Sequence, residues 1–112
     1  MNNAQVVGNL VDEIELKTFQ SGDKEVTVAN GVVACNERFG QKEITSFIDF
    51  TVYNSKAKVI KDYVAKGQQI GLSGKLRAET YEDKQGIKRK KTYLYVDSVD
   101  LPQKQKQDET SH

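Results

Sequence analysis

Residues 45–54, with the sequence TSFIDFTVYN, combine aromatic rings with polar side chains. If they form a β-strand, alternate side chains point to opposite faces, so Ile48, Phe50 and Val52 share one face. The opposite face carries two rings, a carboxylate and a hydroxyl: Phe47, Tyr53, Asp49 and Thr51. The first face suits an apolar core, whereas the second suits a ligand that offers flat surfaces for stacking and polar groups for hydrogen bonding.

Two later segments set rings and cations apart from core side chains in the same way. In residues 68–81 the apolar alternation predicts a strand whose other face carries Lys75, Arg77, Glu79 and Tyr81. In residues 88–101 the side chains opposite the predicted core include two tyrosines, Tyr93 and Tyr95. Single-stranded nucleic acid requires this combination, because cations offset phosphates and flat rings stack on bases at about 1 to 3 kcal/mol per base. Tyrosine is also enriched in half-buried strands whatever their function, so for these two tyrosines both interpretations stay open.

The acidic residues on these faces do not contradict a nucleic-acid ligand. Acidic side chains can orient neighbouring lysines and arginines or accept hydrogen bonds from base amino groups. For Asp49 two further roles are open: alignment of Arg77 or Lys75, and solubility of an empty groove. A metal-dependent nuclease that uses Asp49 and Glu79 with Arg77 is another hypothesis, but carboxylates and arginines on a strand surface far more often form salt bridges.

The sequence contains no recognisable catalytic motif, metal site or cofactor site. Its one cysteine, Cys35, excludes an intramolecular disulfide, and its one histidine is the terminal His112. These two side chains give no recognisable zinc site, and no cofactor is expected. A non-enzymatic binding protein is therefore favoured over an enzyme.

Length and charge fit a small binding domain. A chain of 112 residues is the size of one domain with a single core. The net charge is only +1, but residues 12–25 hold five acids against two lysines, and residues 75–91 hold seven bases against three acids. A local basic region can attract a polyanion even on a nearly neutral protein. Neither a signal peptide nor an apolar run of membrane-spanning length is present, so a cytoplasmic protein without membrane contact is expected.

The apolar periodicity predicts five strands and one helix. The strands are expected at residues 4–11 (running on toward residue 19), 25–35, 45–54, 68–81 and 88–101. A helix is predicted over KAKVIKDYVAK, with Ser55 as its cap and Gly67 just past its end, while NERFGQKE reads as a loop and DKQG as a tight turn. Three strands, one helix and two strands with short connections are the order of the OB-fold, a small Greek-key barrel. The predicted fold class is all-β, with a five-stranded antiparallel OB-fold domain at residues 1–101 and a disordered polar tail at residues 102–112.

Several segments in the same order resemble one known family. VVGNLVDEIELK, VANGVVACNERF and the stretch from TSFIDFTVYN to YLYV together are similar to the bacterial-type single-stranded DNA-binding (SSB) proteins over roughly residues 5–101. The most specific part is residues 57–86, where the helix, KGQQIGLSGKLR and YEDKQG follow one another with the family's spacing. The resemblance implies binding of single-stranded DNA with little sequence preference, protection of exposed strands in replication and recombination, and a homo-oligomer, usually a tetramer, with a dimer as the alternative.

The resemblance also implies which residues contact the DNA. The family's stacking aromatics, some of which are Trp in many relatives, correspond here to Phe39, Phe47, Tyr53 and Tyr81. The basic positions along the family's DNA path correspond to Lys17, Arg38, Lys75 and Arg77. The KRKK run lies beside a loop that guides the strand in the family, and it consists of Lys88, Arg89, Lys90 and Lys91.

One departure from the family concerns the C-terminus. Cellular members carry a long linker that ends in an acidic tip and recruits other replication proteins, whereas here only QKQKQDETSH follows Pro102. Recruitment through such a tip is therefore not expected, and the short form resembles phage or plasmid versions or a truncated chain. A primosome-type OB protein, which mainly docks replication proteins on DNA, is the alternative within nucleic-acid binding.

Overall fold

Six strands and one helix make up the part of the chain that the structure, a computed structural model, describes: residues 1–101. The elements in chain order are β1 (Ala4–Leu10), β2 (Lys17–Ser21), β3 (Lys24–Phe39), β4 (Lys42–Tyr53), α1 (Asn54–Tyr63), β5 (Gln69–Glu82) and β6 (Lys88–Asp100). The polar tail predicted for residues 102–112 lies outside the described residues. No helix in residues 1–101 is long and apolar enough to cross a membrane.

The strands close into the predicted OB-fold barrel. Their order is β1-β5-β6-β4-β3-β2, and an additional pairing of β1 with β3 closes a ring of five strands. The predicted first strand is broken in two, because β1 and β2 both pair with β3 and the chain between them turns. Ile14 lies in this turn with its side chain buried in the core, so the break places an apolar residue inside the barrel.

One pairing in the ring is parallel. β4 and β6 run in the same direction where Phe50 lies opposite Leu94 and Thr51 opposite Tyr95, while every other pairing is antiparallel. The sequence reading expected antiparallel strands throughout. A closed ring with an odd number of strands cannot alternate in direction all the way round, so at least one neighbouring pair must be parallel.

The core lies inside the barrel and follows the predicted alternation. Phe50 and Val52 are fully buried and Ile48 packs against them, which confirms the apolar face of β4. Gly31 lies opposite Phe50, and a Cβ atom there would lie 2.5 Å from Cζ of the Phe50 ring. The ring therefore fills the space that any larger residue at position 31 would need. The remaining core residues come from β1, β3, α1 and the residue after it, β5 and β6: Leu10, Ala29, Val33, Ala57, Ile60, Val64, Ile70, Leu72, Leu94 and Val96.

The helix α1 packs against the barrel and begins one residue before the predicted cap. The residue that precedes it, Tyr53, makes no capping hydrogen bond with its side chain, so the prediction that Ser55 caps the helix is wrong. Asn54 has a positive φ of 57°, and its Oδ1 accepts a hydrogen bond from the backbone N–H of Thr27. This side chain fixes the start of the helix to the neighbouring strand β3. The helix ends at Tyr63 and Val64 is extended, so the prediction that Gly67 directly follows the helix is wrong. Gly67 lies four residues past the helix, in the turn before β5, where its φ is 88°.

Two hairpins continue beyond the barrel as two-stranded arms. The β3–β4 arm comprises residues 36–45 and the β5–β6 arm residues 75–92, and almost all of their residues are exposed. The loop predicted at NERFGQKE is instead a continuous ladder that ends where Phe39 pairs with Lys42, with Gly40 in the turn at a φ of 64°. Because β5 has left the barrel at Leu76, this apolar side chain, on the strand face opposite Lys75 and Arg77, is 48% exposed.

The turn of the β5–β6 arm is the predicted DKQG turn, and Asp83 organises it. Its Oδ1 accepts hydrogen bonds from the backbone N–H groups of Gln85 (2.9 Å) and Ile87 (3.0 Å). Its Oδ2 accepts one from Nε of Arg89 at 2.9 Å. These contacts, the arginine first among them, hold the pKa of Asp83 below its ordinary value because they favour the charged carboxylate. The arm therefore has an ordered tip.

Candidate nucleic-acid interface

The polar faces predicted for three strands form one continuous surface. Residues that lie directly opposite each other on paired strands point to the same side of the sheet. Thr51 lies opposite Tyr95, which in turn lies opposite Lys75, and Tyr93 lies opposite Arg77. We call this surface the outer face. Its side chains are Phe47, Asp49, Thr51 and Tyr53 of β4, Lys75, Arg77, Glu79 and Tyr81 of β5, and Arg89, Lys91, Tyr93 and Tyr95 of β6.

Three planar groups meet at the centre of the outer face. The ring centroids of Tyr53 and Tyr95 lie 5.6 Å apart, with the ring planes inclined by 35°. The guanidinium carbon of Arg77 lies 4.4 Å from the centroid of the Tyr95 ring, a cation–π contact. A guanidinium over one ring and a second ring tilted beside it give a base planar groups on which to stack together with a positive charge, as single-stranded nucleic acid requires.

Tyr93 of β6 and Glu79 of β5 form a second contact on the outer face. The hydroxyl of Tyr93 donates a hydrogen bond to Oε1 of Glu79 at 2.5 Å. This hydrogen bond raises the pKa of Tyr93, because it stabilises the neutral phenol beside a carboxylate. Glu79 is thereby fixed in place as an acceptor, and Tyr93 keeps its proton and presents an oriented ring.

Phe47 extends the outer face toward the β3–β4 arm. It is 67% exposed, whereas Phe50 on the opposite side of the same strand is 1% exposed, so the two predicted faces of β4 are confirmed. Phe47 and Tyr53 stand six residues apart, which is about 20 Å along a β-strand. Asp49 lies between them on the same face.

Asp49 does not align a neighbouring cation. Within residues 1–101 the ion pairs are Lys66 with Asp12 and Arg89 with Asp83, so the alignment of Arg77 or Lys75 by Asp49 is wrong. Arg77 lies over the Tyr95 ring instead. The hypothetical nuclease set is also divided between strands: Asp49 lies on β4 while Glu79, on β5, accepts from Tyr93. No three His, Cys, Asp or Glu side chains of the described residues are placed to hold a metal ion together.

Comparison with known proteins identifies the family of this chain. The model of the Single-strand binding protein family matches residues 1–102. The chain belongs to this family. Single-stranded DNA-binding protein 1 of Staphylococcus aureus is 34% identical over 103 residues, which cover 88% of this chain and 64% of that protein. The Single-stranded DNA-binding protein of Helicobacter hepaticus is 31% identical over 105 residues, covering 89% of this chain and 60% of that protein. Single-stranded DNA-binding protein 1 of Synechocystis is 32% identical, covering 90% and 83%. The chain thus spans less than two thirds of the length of the first two relatives.

Among the aromatics that the SSB family resemblance pointed to, three share the outer face and one does not. Phe47, Tyr53 and Tyr81 lie on it, and Tyr81 is 51% exposed on the β5–β6 arm. Phe39 lies opposite Lys42 at the end of the β3–β4 arm, in the alternate set of side chains from Phe47. Strand alternation therefore places Phe39 on the reverse side of its arm.

Two of the basic residues, Arg38 and Lys17, lie on the same side of the sheet as the outer face. Arg38 shares the side of Phe47, and Lys17, the first residue of β2, lies opposite Val28, the neighbour of Tyr53. Lys17 lines a cavity of about 260 Å³ together with Glu13, Glu15, Val28 and Asn30, so its positive charge is close to two acids.

The KRKK run is split between the two sides of the β5–β6 arm. Arg89 and Lys91 lie on the outer face together with Tyr93, whereas Lys88 and Lys90 point to the reverse side. Of the two outer-face cations, Arg89 is engaged with Asp83. Lys91 lies opposite Glu79 and lines a cavity beside Asp49.

Three aromatics were not assigned to the site from the sequence. Tyr93 and Tyr95 lie at the centre of the outer face, and Phe19 of β2 is half-exposed on the same side as Lys17. Their alternation gave the correct face for both tyrosines, but strand propensity was an equally good explanation. A larger cavity of about 360 Å³ lies elsewhere, between β1, β5 and β6, and is lined by residues such as Val7, Ser73 and Asp100 without a ring or a cation.

Proposed function

We propose that this protein binds single-stranded DNA with little sequence preference and protects exposed strands during replication and recombination. The observation that supports this best is the contiguous group of Tyr53, Tyr95 and Arg77 on the outer face. Base stacking on such rings is tolerant of sequence, because every base has a flat π-face. The family relatives carry the name single-stranded DNA-binding protein, in agreement with the proposal. No catalytic role is included.

The proposed path of the strand follows the outer face. Bases stack on Phe47 and Tyr53 of β4 and on Tyr81 of the β5–β6 arm, and Phe39 contacts the strand only if it wraps the tip of the β3–β4 arm. Phosphates are neutralised by the cations along this path: Lys17, Arg38, Lys75, Arg77, Lys88, Arg89, Lys90 and Lys91. Of the last four, Lys91 has the most direct access, since Arg89 already binds Asp83 and the other two point away.

The assembly and setting of the protein are part of the proposal. We infer a homo-oligomer, with a tetramer ahead of a dimer, that works in the cytoplasm of a bacterial cell or of a phage host. The binding domain comprises residues 1–101, followed by a polar tail. Recruitment of other replication proteins through an acidic C-terminal tip is not included.

A titration tests the proposal directly. Oligomers of dT of about 16 nucleotides, an upper site size for one OB-fold, should quench tyrosine fluorescence, and the affinity should fall linearly as salt rises on a log–log plot. Tyr95→Ala should lower the affinity by about 1 to 3 kcal/mol, while Tyr63→Ala, on the exposed side of α1, should leave it unchanged. Failure to bind at low salt would refute the proposal. The same titration with rU oligomers measures the preference for DNA over RNA, and sedimentation in the analytical ultracentrifuge measures assembly. Cleavage of an oligomer in the presence of Mg²⁺ would contradict a purely binding role.

A further inference from the structure

Asp49 is a free carboxylate in the middle of a surface that is otherwise built for a polyanion. Two acids of β5 and its turn are engaged: Glu79 accepts a hydrogen bond from Tyr93, and Asp83, at the tip of the β5–β6 arm, accepts one from Arg89. Asp49 forms no ion pair within residues 1–101. A carboxylate repels phosphates, so at this position it opposes binding of the DNA backbone. In the DNA-bound state its location becomes favourable when a group that donates hydrogen bonds lies against it.

A cavity of about 150 Å³ opens beside Asp49. It exists because β4 and β6 pair only at Phe50 with Leu94 and at Thr51 with Tyr95, and no ladder joins them beyond these rungs. Its polar lining consists of the side chains of Asn30, Asp49, Thr51, Lys91 and Tyr93. Gly31, Val32 and Phe50 supply the apolar part of the lining. Five of these eight lining residues are polar, so hydrogen bonding rather than apolar contact would govern which ligand fits here.

The polar groups of this cavity present a definite set of donors and acceptors. Asp49 can only accept hydrogen bonds, and Lys91 can only donate them. Oδ1 of Asn30 already accepts from the hydroxyl of Thr51 at 2.7 Å, so its amide NH₂ is left to donate. Asp49 and Lys91 do not pair with each other, so both are available to a ligand.

The four bases differ in how well they match this set. Guanine has two adjacent donors, N1–H and the N2 amino group, which can bind both oxygens of one carboxylate, and next to them the acceptor O6, which suits an ammonium group. Thymine offers a single donor between two carbonyl oxygens, which a carboxylate repels. Cytosine and adenine each offer one amino group next to an acceptor nitrogen. Only guanine satisfies Asp49 with two hydrogen bonds and Lys91 with a third.

We propose that the cavity beside Asp49 binds a guanine base, so that one position of the bound strand is selective for guanine. This inference rests on the proposed binding of single-stranded DNA. The guanine lies between Phe47 and Tyr53, where the distance of about 20 Å along β4 leaves room for nucleotides between the two stacking rings. Asp49 is then a specificity residue within a site that otherwise reads no sequence.

A competition assay tests the inference. Oligomers of dT of about 16 nucleotides carry one central dG, dA, dC, dI or dT, and the protein can shift its register so that this base reaches the cavity. The dG oligomer should bind about fivefold or more tightly than the others, the lower range for a bidentate base contact. The dI oligomer lacks the N2 amino group and should lose most of this advantage. A single guanine also avoids four-stranded structures in the probe.

Variants separate this inference from the proposed function. Asp49→Asn should abolish the preference for dG and raise the affinity for pure dT, because a negative charge leaves a polyanion-binding surface. Asp62→Asn removes an exposed carboxylate from α1 and should change neither quantity. If the protein binds all oligomers equally, or if Asp49→Asn keeps the preference, the inference is wrong while the proposed function stands. If the protein binds none of them, the proposed function itself fails.

Discussion

The pair Phe47 and Phe50 offers a sharp test, because two identical side chains three residues apart have opposite roles. Phe47 is 67% exposed, so only about a third of its ring area is buried. A phenylalanine buries about 200 Å² when fully covered, so truncation of Phe47 removes roughly 65 Å² and costs at most about 1.7 kcal/mol of unfolding free energy. Phe50 is 1% exposed, and Phe50→Ala creates a core cavity that costs about 3 to 5 kcal/mol.

For affinity for DNA, in contrast to stability, Phe47 should be the more important of the two side chains. Phe47→Ala removes a proposed stacking ring and should weaken binding of a dT oligomer by about 1 to 3 kcal/mol, a loss of roughly 5- to 150-fold. Fluorescence anisotropy of a labelled oligomer measures this loss. Thermal melts at one protein concentration measure stability, since the melting temperature depends on concentration if the protein assembles as proposed. At about 4 °C per kcal/mol, Phe50→Ala should lower the melting temperature by about 12 °C or more, and Phe47→Ala by at most about 7 °C.

Two results would refute the assignment of faces. If Phe47→Ala lowers the melting temperature as much as Phe50→Ala does, Phe47 belongs to a buried contact, in the barrel or between subunits. If Phe47→Ala leaves DNA affinity unchanged while the protein stays folded, the strand does not pass over this part of the outer face.

Three further perturbations test other parts of the structure. Arg77→Ala should reduce the slope of log K against log salt by about 0.7, the value for one phosphate contact on a single strand, and an unchanged slope would remove Arg77 from the phosphate path. Gly31→Ala places a Cβ atom 2.5 Å from the Phe50 ring and should lower the urea midpoint by the equivalent of about 1 to 3 kcal/mol; a wild-type midpoint would contradict this packing. The pKa of Asp83 lies below its ordinary value of 3.8, so the turn contacts persist as the pH falls to 3.8 and are lost only through the lower pKa. An NMR titration should show this midpoint moving upward in Arg89→Ala, and a midpoint at 3.8 in the wild type would count against the contacts.

The fold was largely predictable because alternation is a local property of a strand. Phe50 and Val52 are buried and Phe47 is exposed, as period two requires. Pairing between distant strands is not local, and the parallel contact of Thr51 with Tyr95 follows from ring closure rather than from any sequence pattern. The failed cap at Ser55 has a similar cause, since Asn54 takes its partner from β3, far away in sequence.

The face on which a site residue lies was predictable when it depends on a single strand. Contacts between side chains of different strands were not predictable. The face that carries Tyr53 could be derived from β4 alone, but its contact with Tyr95 depends on the register between β4 and β6. The sequence pattern had suggested Asp49 as the partner of Arg77. The structure instead places Arg77 over the ring of Tyr95. Phe39 was matched by its place in a motif, whereas the ladder register decides which side of the arm it occupies.

The two arms also bear on how a bound strand leaves. The β3–β4 arm and the β5–β6 arm contribute nothing to the buried core, so each can let go of a ligand while the barrel stays intact. A strand that detaches from one arm stays held by the rest of the protein, and its return is intramolecular at a high effective concentration. We therefore expect the bound strand to dissociate slowly on its own. A second strand in solution can occupy the vacated arm before the first strand returns, so it should accelerate dissociation of the first strand in proportion to its own concentration. Long arms on a small barrel thus favour direct transfer of the protein from one strand to another.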